Sequence, residues 1–317
     1  MAKPHEASDP RFRAGMSMLA SPEAAQQLSE AVALIEAAAA AGDPEATARR
    51  AAFECAGVGH PADWQKALDL LVDAAQLGSE VAARQLILLA DDRFEAAAPA
   101  EKPEGHWKEI RSRIPIAKRM RPPAATGRTL SADPFDRAIP GMCTPSECQW
   151  LISAAEPWLE RATLYNKGVG EGRTNQFAVL NLLHIDLVAE MIRTRIASEI
   201  GAPLPCLEVS QVLRYAVGEE FMLHCDFLDP QLNRDDVERF GQRAATFLIY
   251  LNEDFDGGET SFPRLGIRHR GRTGDALVFG NLGRNRMPDP RTQHAGLPPT
   301  RGEKWLFSQW VRDRYSE

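Results

Sequence analysis

The chain has 317 residues, 44% hydrophobic and 26% charged, with a formal net charge of −7, which is room for two domains in an ordinary globular composition. The acidic balance argues against nucleic acid as the main partner, and no apolar run approaches the roughly 18 residues of a membrane span. Five scattered cysteines read as reduced thiols of a cytoplasmic protein.

Residues 1–27 are polar and small and are expected as a flexible leader; MAKPHEASDPRFRAG lacks the apolar core of a signal peptide. Residues 28–95 are Ala-rich and helical in period. EAAAAAGDPEATARRAA at Glu36 is echoed by VDAAQLGSEVAARQLIL at Val72, with Gly42 and Gly78 spaced 36 residues apart. That is the period of stacked helix pairs, and the segment resembles the Sel1-like branch of the tetratricopeptide superfamily; a plain helical bundle with a chance echo is the alternative. Residues 96–135 are rich in Pro, Ala and Arg and read as a linker. Its basic cluster IRSRIPIAKRMRPP lacks interleaved aromatics, so a solvated surface is expected there and not a nucleic-acid site.

A short helix is expected around Pro145 to Leu159. Cys143 and Cys148, just before and within it, have no partnering Cys or His pair and do not read as a zinc knot. Residues 136–317 are otherwise dominated by strand patterns: LEVSQVLRYAV, FMLHCDFL, RAATFLIYLN, GDALVFGN and EKWLFSQWVR. Short strands with one covering helix predict a jelly roll. The expected class is α+β, a small all-α helical-repeat domain followed by that jelly roll.

H-x-D occurs twice. His184 and Asp186 run into DLVAEMIRTRIASEIG, whose period is helical and whose Gly201 suits a helix end; Asp186 is expected as its N-cap. His224 and Asp226 lie in FMLHCDF, a strand pattern, where side chains two apart share a face; on a helix they would diverge by about 200°. His294, in RTQHAGLP before the final strand, can supply a second imidazole. Two imidazoles and one carboxylate on one face of a metal leave three open positions, the arrangement of non-haem Fe(II) oxygenases. In EKWLFSQWV, alternation puts Lys304, Leu306, Ser308 and Trp310 on one face. A lone ammonium facing into a barrel needs an anion, and a diacid that chelates the metal with its other end would supply it.

The order HxD, GGETSFP, GDALVF and HAGLPPTRGEKW, with Lys304 ten residues after His294, resembles the prolyl 4-hydroxylase branch of the 2-oxoglutarate and Fe(II)-dependent oxygenases, over roughly Ile139 to Arg314. The resemblance implies a double-stranded β-helix with His224, Asp226 and His294 as iron ligands and Lys304 on the distal carboxylate of 2-oxoglutarate. It implies that Tyr250 assists Lys304, that Tyr215 contacts the cosubstrate, and that ascorbate rescues oxidised iron. Trp310 stands where the family has a tryptophan near the substrate. GEGRTN, from Gly170 to Asn175, aligns with an RTS-type loop covering a peptide, making Arg173 and Asn175 substrate residues, with Asn175 in place of the family's Ser. Phe221 stands where the family typically has a tyrosine reaching toward the reaction centre. Tyr215 and Tyr250 read alternatively as sheet aromatics; Trp305 is expected in the core and His269 in a solvated loop.

The activity implied is hydroxylation of a prolyl residue in a peptide or protein substrate, with succinate and CO2 released; separately, the concave surface expected of stacked helix pairs suits holding that substrate. The alternatives are hydroxylation of another residue or a small metabolite, and a non-catalytic metal-binding jelly-roll scaffold.

Overall fold

Aspartate and serine side chains start four of the helices in the first part of the chain. The computed structural model describes residues 8–97, 105–124, 127–162 and 172–315. It divides into two units, one running up to Met120 together with Asn181–Ile192, the other Arg121–Leu180 together with Arg193 onward.

The first unit carries α1 (Pro10–Leu19), α2 (Ala24–Ala40), α3 (Pro44–Ala56), α4 (Trp64–Gln76), α5 (Glu80–Asp91), α6 (His106–Ser112) and α7 (Ile116–Arg119). Asp9, Asp43, Asp63 and Ser79 each accept a first-turn backbone N–H, satisfying donors the helix leaves open. Gly42 and Gly78 take positive φ, 87° and 99°, in the turns between α2 and α3 and between α4 and α5. The two helix pairs therefore recur at the spacing of the glycines. Small side chains such as Ala31, Ala38 and Ala46 are buried with Ile35 and Phe53 between the helices.

The structure departs from the expected leader and linker. Within 1–27 lies α1, whose Phe12 and Leu19 are buried against Ala31 and Ile35; residues 1–7 lie outside the described residues. The expected linker holds α6 and α7, with Trp107, Ile110, Ile114 and Ile116 buried, while residues 98–104 and 125–126 lie outside the described residues. The cluster's cations are not simply solvated: Arg111 binds Asp69, Arg113 binds Asp91 and Arg119 meets Asp92. Proline and arginine masked an apolar stripe fringed by cations that pair with acids of neighbouring helices.

The segment 181–192 also belongs to this unit. Arg49, fully buried, donates to the carbonyls of Leu182 and Ile185, and Gln85 accepts from the Leu187 amide.

The second unit is built on sheets. In chain order come β1 (Arg128–Ala132), β2 (Phe135–Ile139), α8 (Pro145–Ala155), β3 (Glu160–Arg161), β4 (Gln176–Leu180), α9 (Leu187–Ile200), β5 (Ser210–Tyr215), β6 (Phe221–His224), α10 (Arg234–Phe240), β7 (Arg243–Tyr250), β8 (Asp256–Gly257), β9 (Thr260–Phe262), β10 (Ile267–His269), β11 (Ala276–Gly280), β12 (His294–Gly296), β13 (Pro299–Arg301) and β14 (Lys304–Arg312). The strand-rich unit thus begins ahead of residue 136. The first residues of α9 cluster with the helical unit. Its N-cap is Asp186, which accepts from the Ala189 amide at 2.8 Å, so this copy of H-x-D is spent on a helix start. Thr144 and Glu147 form a capping box on α8.

The large sheet has the order β1-β2-β11-β7-β14-β5-β4-β3 and the small one β10-β9-β12-β6. Period-two alternation turns Leu213 and Tyr215 of β5, Leu248 and Tyr250 of β7, Leu277 and Phe279 of β11 and Leu306 of β14 inward, where they pack with Phe255 and Phe262. This is the expected jelly-roll double-stranded β-helix.

Asp136 of β2 stands opposite Phe279 and is 1% exposed. Neither carboxylate oxygen has a hydrogen-bond partner among the described residues, and burial pushes its pKa from 3.8 up to about 7. The folded chain then keeps a proton that the unfolded chain has lost, so the stability from this group is complete below about pH 4 and falls as pH rises toward 7. Asp136→Asn is expected to flatten that slope and to stabilise the protein at pH 8 by on the order of 1–3 kcal/mol, read from urea unfolding at pH 5 and 8.

Candidate active site

The small sheet brings the polar groups together. His224 pairs with His294 and Phe221 with Gly296, so three steps along β6 match two along β12. That extra residue is a bulge, and it turns Phe221 and His224 toward one another although strand parity alone would separate them. Asp226 lies in a bend just past the end of β6. Asp226 Oδ1 is 3.4 Å from His224 Nε2 and Oδ2 is 3.6 Å from His294 Nε2. One ligand atom from each residue fits within 4.8 Å of the others. Cis ligands on an ion with bonds of about 2.1 Å sit roughly 3 Å apart, so a small contraction seats a metal.

The protonation pattern fits as well. His224 Nδ1 donates to the Met222 carbonyl at 2.8 Å and His294 Nδ1 to the Thr292 carbonyl at 3.0 Å, which turns both Nε2 lone pairs to the centre. Burial and the neighbouring His224 push His294 down to about 4, keeping it neutral. Burial alone would raise Asp226, but His294 and the contacts with His224 and Thr246 outweigh it and hold the carboxyl well below the usual range. Thr246 Oγ1 donates to Asp226 Oδ2 at 2.7 Å and accepts from Asn281 Nδ2 at 3.0 Å. Thr246→Val is expected to lower Fe(II) affinity about tenfold, the scale of an outer partner of a metal ligand, measured by titration of the apoprotein.

A cavity opens from these three residues toward β14. Lys304, Leu306, Ser308 and Trp310 line it along one face of the strand, as alternation predicts, with Tyr215 and Thr260 beside them. Lys304 is fully buried, and its Nζ has no hydrogen-bond partner among the described residues. It lies 4.9 Å from the centre of the Tyr215 ring. Burial pushes the amine down to about 7, only partly offset by Glu259, and raises the Tyr215 phenol to about 12. This orphaned cation, across the cavity from the three-residue cluster, is what a diacid would meet.

Tyr250 lies beside Lys304, with its hydroxyl bonded to other groups. Its hydroxyl shares a hydrogen bond with Thr260 Oγ1 at 2.9 Å and donates to the His269 carbonyl at 3.1 Å, and its ring centre is 5.8 Å from Lys304 Nζ. It braces Thr260, one of the cavity residues, with Gln211, Leu213 and Leu248, that the sequence reading missed; the inward parity of Thr260 and Phe262 in GGETSF was the available signal. His269 is not a solvated loop residue: it ends β10, half-buried, with its ring edge-on to Tyr250, because its strand places it opposite Thr260.

Arg173 lines the cavity and donates through Nε to Asn175 Oδ1 at 2.9 Å. Asn175 is fully buried and bonds the Gln176 carbonyl, so it holds Arg173 and does not itself reach the cavity. Gly170 and Glu171 of the same loop lie outside the described residues. Trp310 is at the cavity wall, with the Arg243 guanidinium 3.6 Å from its ring centre; Trp305, on the opposite face, is buried.

The model of the 2OG-Fe(II) oxygenase superfamily matches residues 210–312. Prolyl 4-hydroxylase 1 of Arabidopsis thaliana is 32% identical over 190 residues, covering 54% of this chain and 66% of that protein. Prolyl 4-hydroxylase 5 of the same plant is 32% identical over 205 residues, covering 57% of this chain and 69% of that protein. A solved 2OG complex of the viral collagen prolyl hydroxylase from Paramecium bursaria chlorella virus 1 is 28% identical, with a TM-score of 0.45 over 56% of this chain and 95% of that chain. The chain belongs to the 2OG-Fe(II) oxygenase superfamily, among the prolyl 4-hydroxylases, and is an enzyme of the class that works with Fe(II) and 2-oxoglutarate.

Proposed function

We propose that this enzyme hydroxylates a prolyl residue of a peptide or protein, with Fe(II) held by His224, Asp226 and His294 and 2-oxoglutarate anchored by Lys304. The observation that carries the reading is the buried Lys304 amine, with no hydrogen-bond partner among the described residues, facing the same cavity as the three candidate ligands. Fe(II) and 2-oxoglutarate, when bound, would serve to activate dioxygen, one oxygen atom ending in succinate and the other in the hydroxylated substrate as CO2 leaves, and ascorbate would return oxidised iron to Fe(II). The chain supplies placement. His224, Asp226 and His294 occupy one side of the centre, Lys304 binds the distal carboxylate with Tyr215 and Thr260 alongside, and Leu213, Leu248 and Leu306 keep water out. Arg173 and Trp310 face the substrate, and Asn175 orients Arg173.

Succinate release with Fe(II) and 2-oxoglutarate, stimulated by a proline-containing peptide that gains one oxygen in mass, is the expected result. Stimulation by a free amino acid and by no peptide would overturn the prolyl assignment. That second reading, another residue or a small metabolite, is favoured by Phe221, whose ring lacks the family's hydroxyl. A scaffold without turnover has no use for the Lys304 anchor.

The recurring helix pairs support a Sel1-like repeat, whose concave stack suits a protein substrate. Because Asn181–Ile192 packs with those helices, surface substitutions test substrate holding more cleanly than truncation does. The free cysteines support a reducing compartment such as the cytoplasm.

A further inference from the structure

Of the three groups at the centre, two are fixed from all sides. His294 is boxed by Phe279 at 4.7 Å and Phe262 at 5.3 Å between ring centres, and Asp226 is held by Thr246. His224 is on β6, at the edge of the small sheet, with 18% of its side chain exposed against 6% for the other two. Among the described residues, the one hydrogen bond its ring makes beyond the cluster goes to the Met222 carbonyl of its own strand. The plane of its imidazole is set by Phe221: the rings stack with centres 3.5 Å apart and planes 10° from parallel.

Phe221 is in turn clamped, because the Arg173 guanidinium lies 4.6 Å from its ring centre. Arg173 also packs on Phe177 at 5.4 Å, is tied to Asn175 through Nε, and is bridged through its backbone to Phe221. A cation over a phenyl face is attractive and directional. A phenyl carries no hydroxyl that another hydrogen-bond partner could draw away from the stack.

We propose that Arg173 and Phe221 are positioning residues for His224, forming a stack from the cavity wall to the metal ligand. The proposal rests on the reading of His224 as a ligand and concerns metal affinity before any cosubstrate binds. The test is Co(II) titration of the full-length apoprotein, followed by the visible absorption of the bound ion, at a temperature where circular dichroism shows every variant folded. Phe221→Leu is expected to weaken Co(II) binding about tenfold, Phe221→Tyr to stay within about twofold because the ring is kept, and Arg173→Met to weaken it about threefold. A merely structural role would lower the melting temperature of Phe221→Leu without moving Co(II) affinity. Wild-type affinity in both Phe221→Leu and Arg173→Met, with binding lost in His224→Ala, overturns the stack and leaves the ligand set standing. Wild-type affinity in His224→Ala as well overturns the ligand reading itself.

Discussion

His294→Ala is expected to abolish turnover and to lower Fe(II) affinity by at least about a hundredfold, beyond the range for losing only an outer partner of a ligand. The imidazole is neutral, because burial and His224 push it down to about 4, and its Nε2 is turned to the centre by the bond from Nδ1 to Thr292. Alanine leaves His224 and Asp226 as a two-point site, with the Asp226 carboxylate buried and one imidazole contact poorer. The control is Asp186→Ala in the other H-x-D. It removes the N-cap of α9 and lowers stability by about 1 kcal/mol, yet leaves iron binding unchanged. Isothermal titration of both variants separates the outcomes. Iron lost in Asp186→Ala and kept in His294→Ala would reverse the assignment.

Lys304→Met is expected to weaken cosubstrate binding and to spare the iron site. Charge-assisted hydrogen bonds to the ammonium contribute about 1.5–3 kcal/mol, so affinity for 2-oxoglutarate is expected to fall about ten- to a hundredfold while Fe(II) binding survives. In the absence of cosubstrate the same variant is expected to be more stable than wild type, since it removes a fully buried amine with no hydrogen-bond partner among the described residues. The wild-type protein adds a pH signature. Only the protonated amine meets the carboxylate, and burial brings the free amine to about 7. Affinity is therefore greatest below pH 7 and falls by up to about tenfold per pH unit above it. An unchanged KM for 2-oxoglutarate in Lys304→Met would remove Lys304 from the cosubstrate site.

The expected strands appear because their signal is local. LRYAV, RAATFLIYLN and EKWLFSQWVR are runs rich in aromatic and aliphatic residues and fall in β5, β7 and β14. What was missed was short or disguised. The strands β8, β9, β10, β12 and β13 have two or three residues each, too few to show a period, and Ile110, Ile114 and Ile116 of the supposed linker are separated by Arg, Ser and Pro.

The sequence by itself supplied the candidate residues of the centre and the face that β14 turns to the cavity. Lys304 in step with Leu306, Ser308 and Trp310 follows from the alternation of side chains along a strand, whereas Asp226 lies in a bend past the end of β6 and is not placed beside His224 by strand parity. The tertiary structure alone decided who meets whom, because pairing across a sheet is a long-range choice that no local period encodes. The register of β6 against β12 sets His294 beside His224. The bulge in that pairing rotates Phe221 onto the His224 ring against the parity its sequence position implies. The pairing of β9 with β10 sets His269 opposite Thr260, and the Tyr250 hydroxyl is taken by Thr260 and the His269 carbonyl because a buried donor takes the nearest acceptor in the fold.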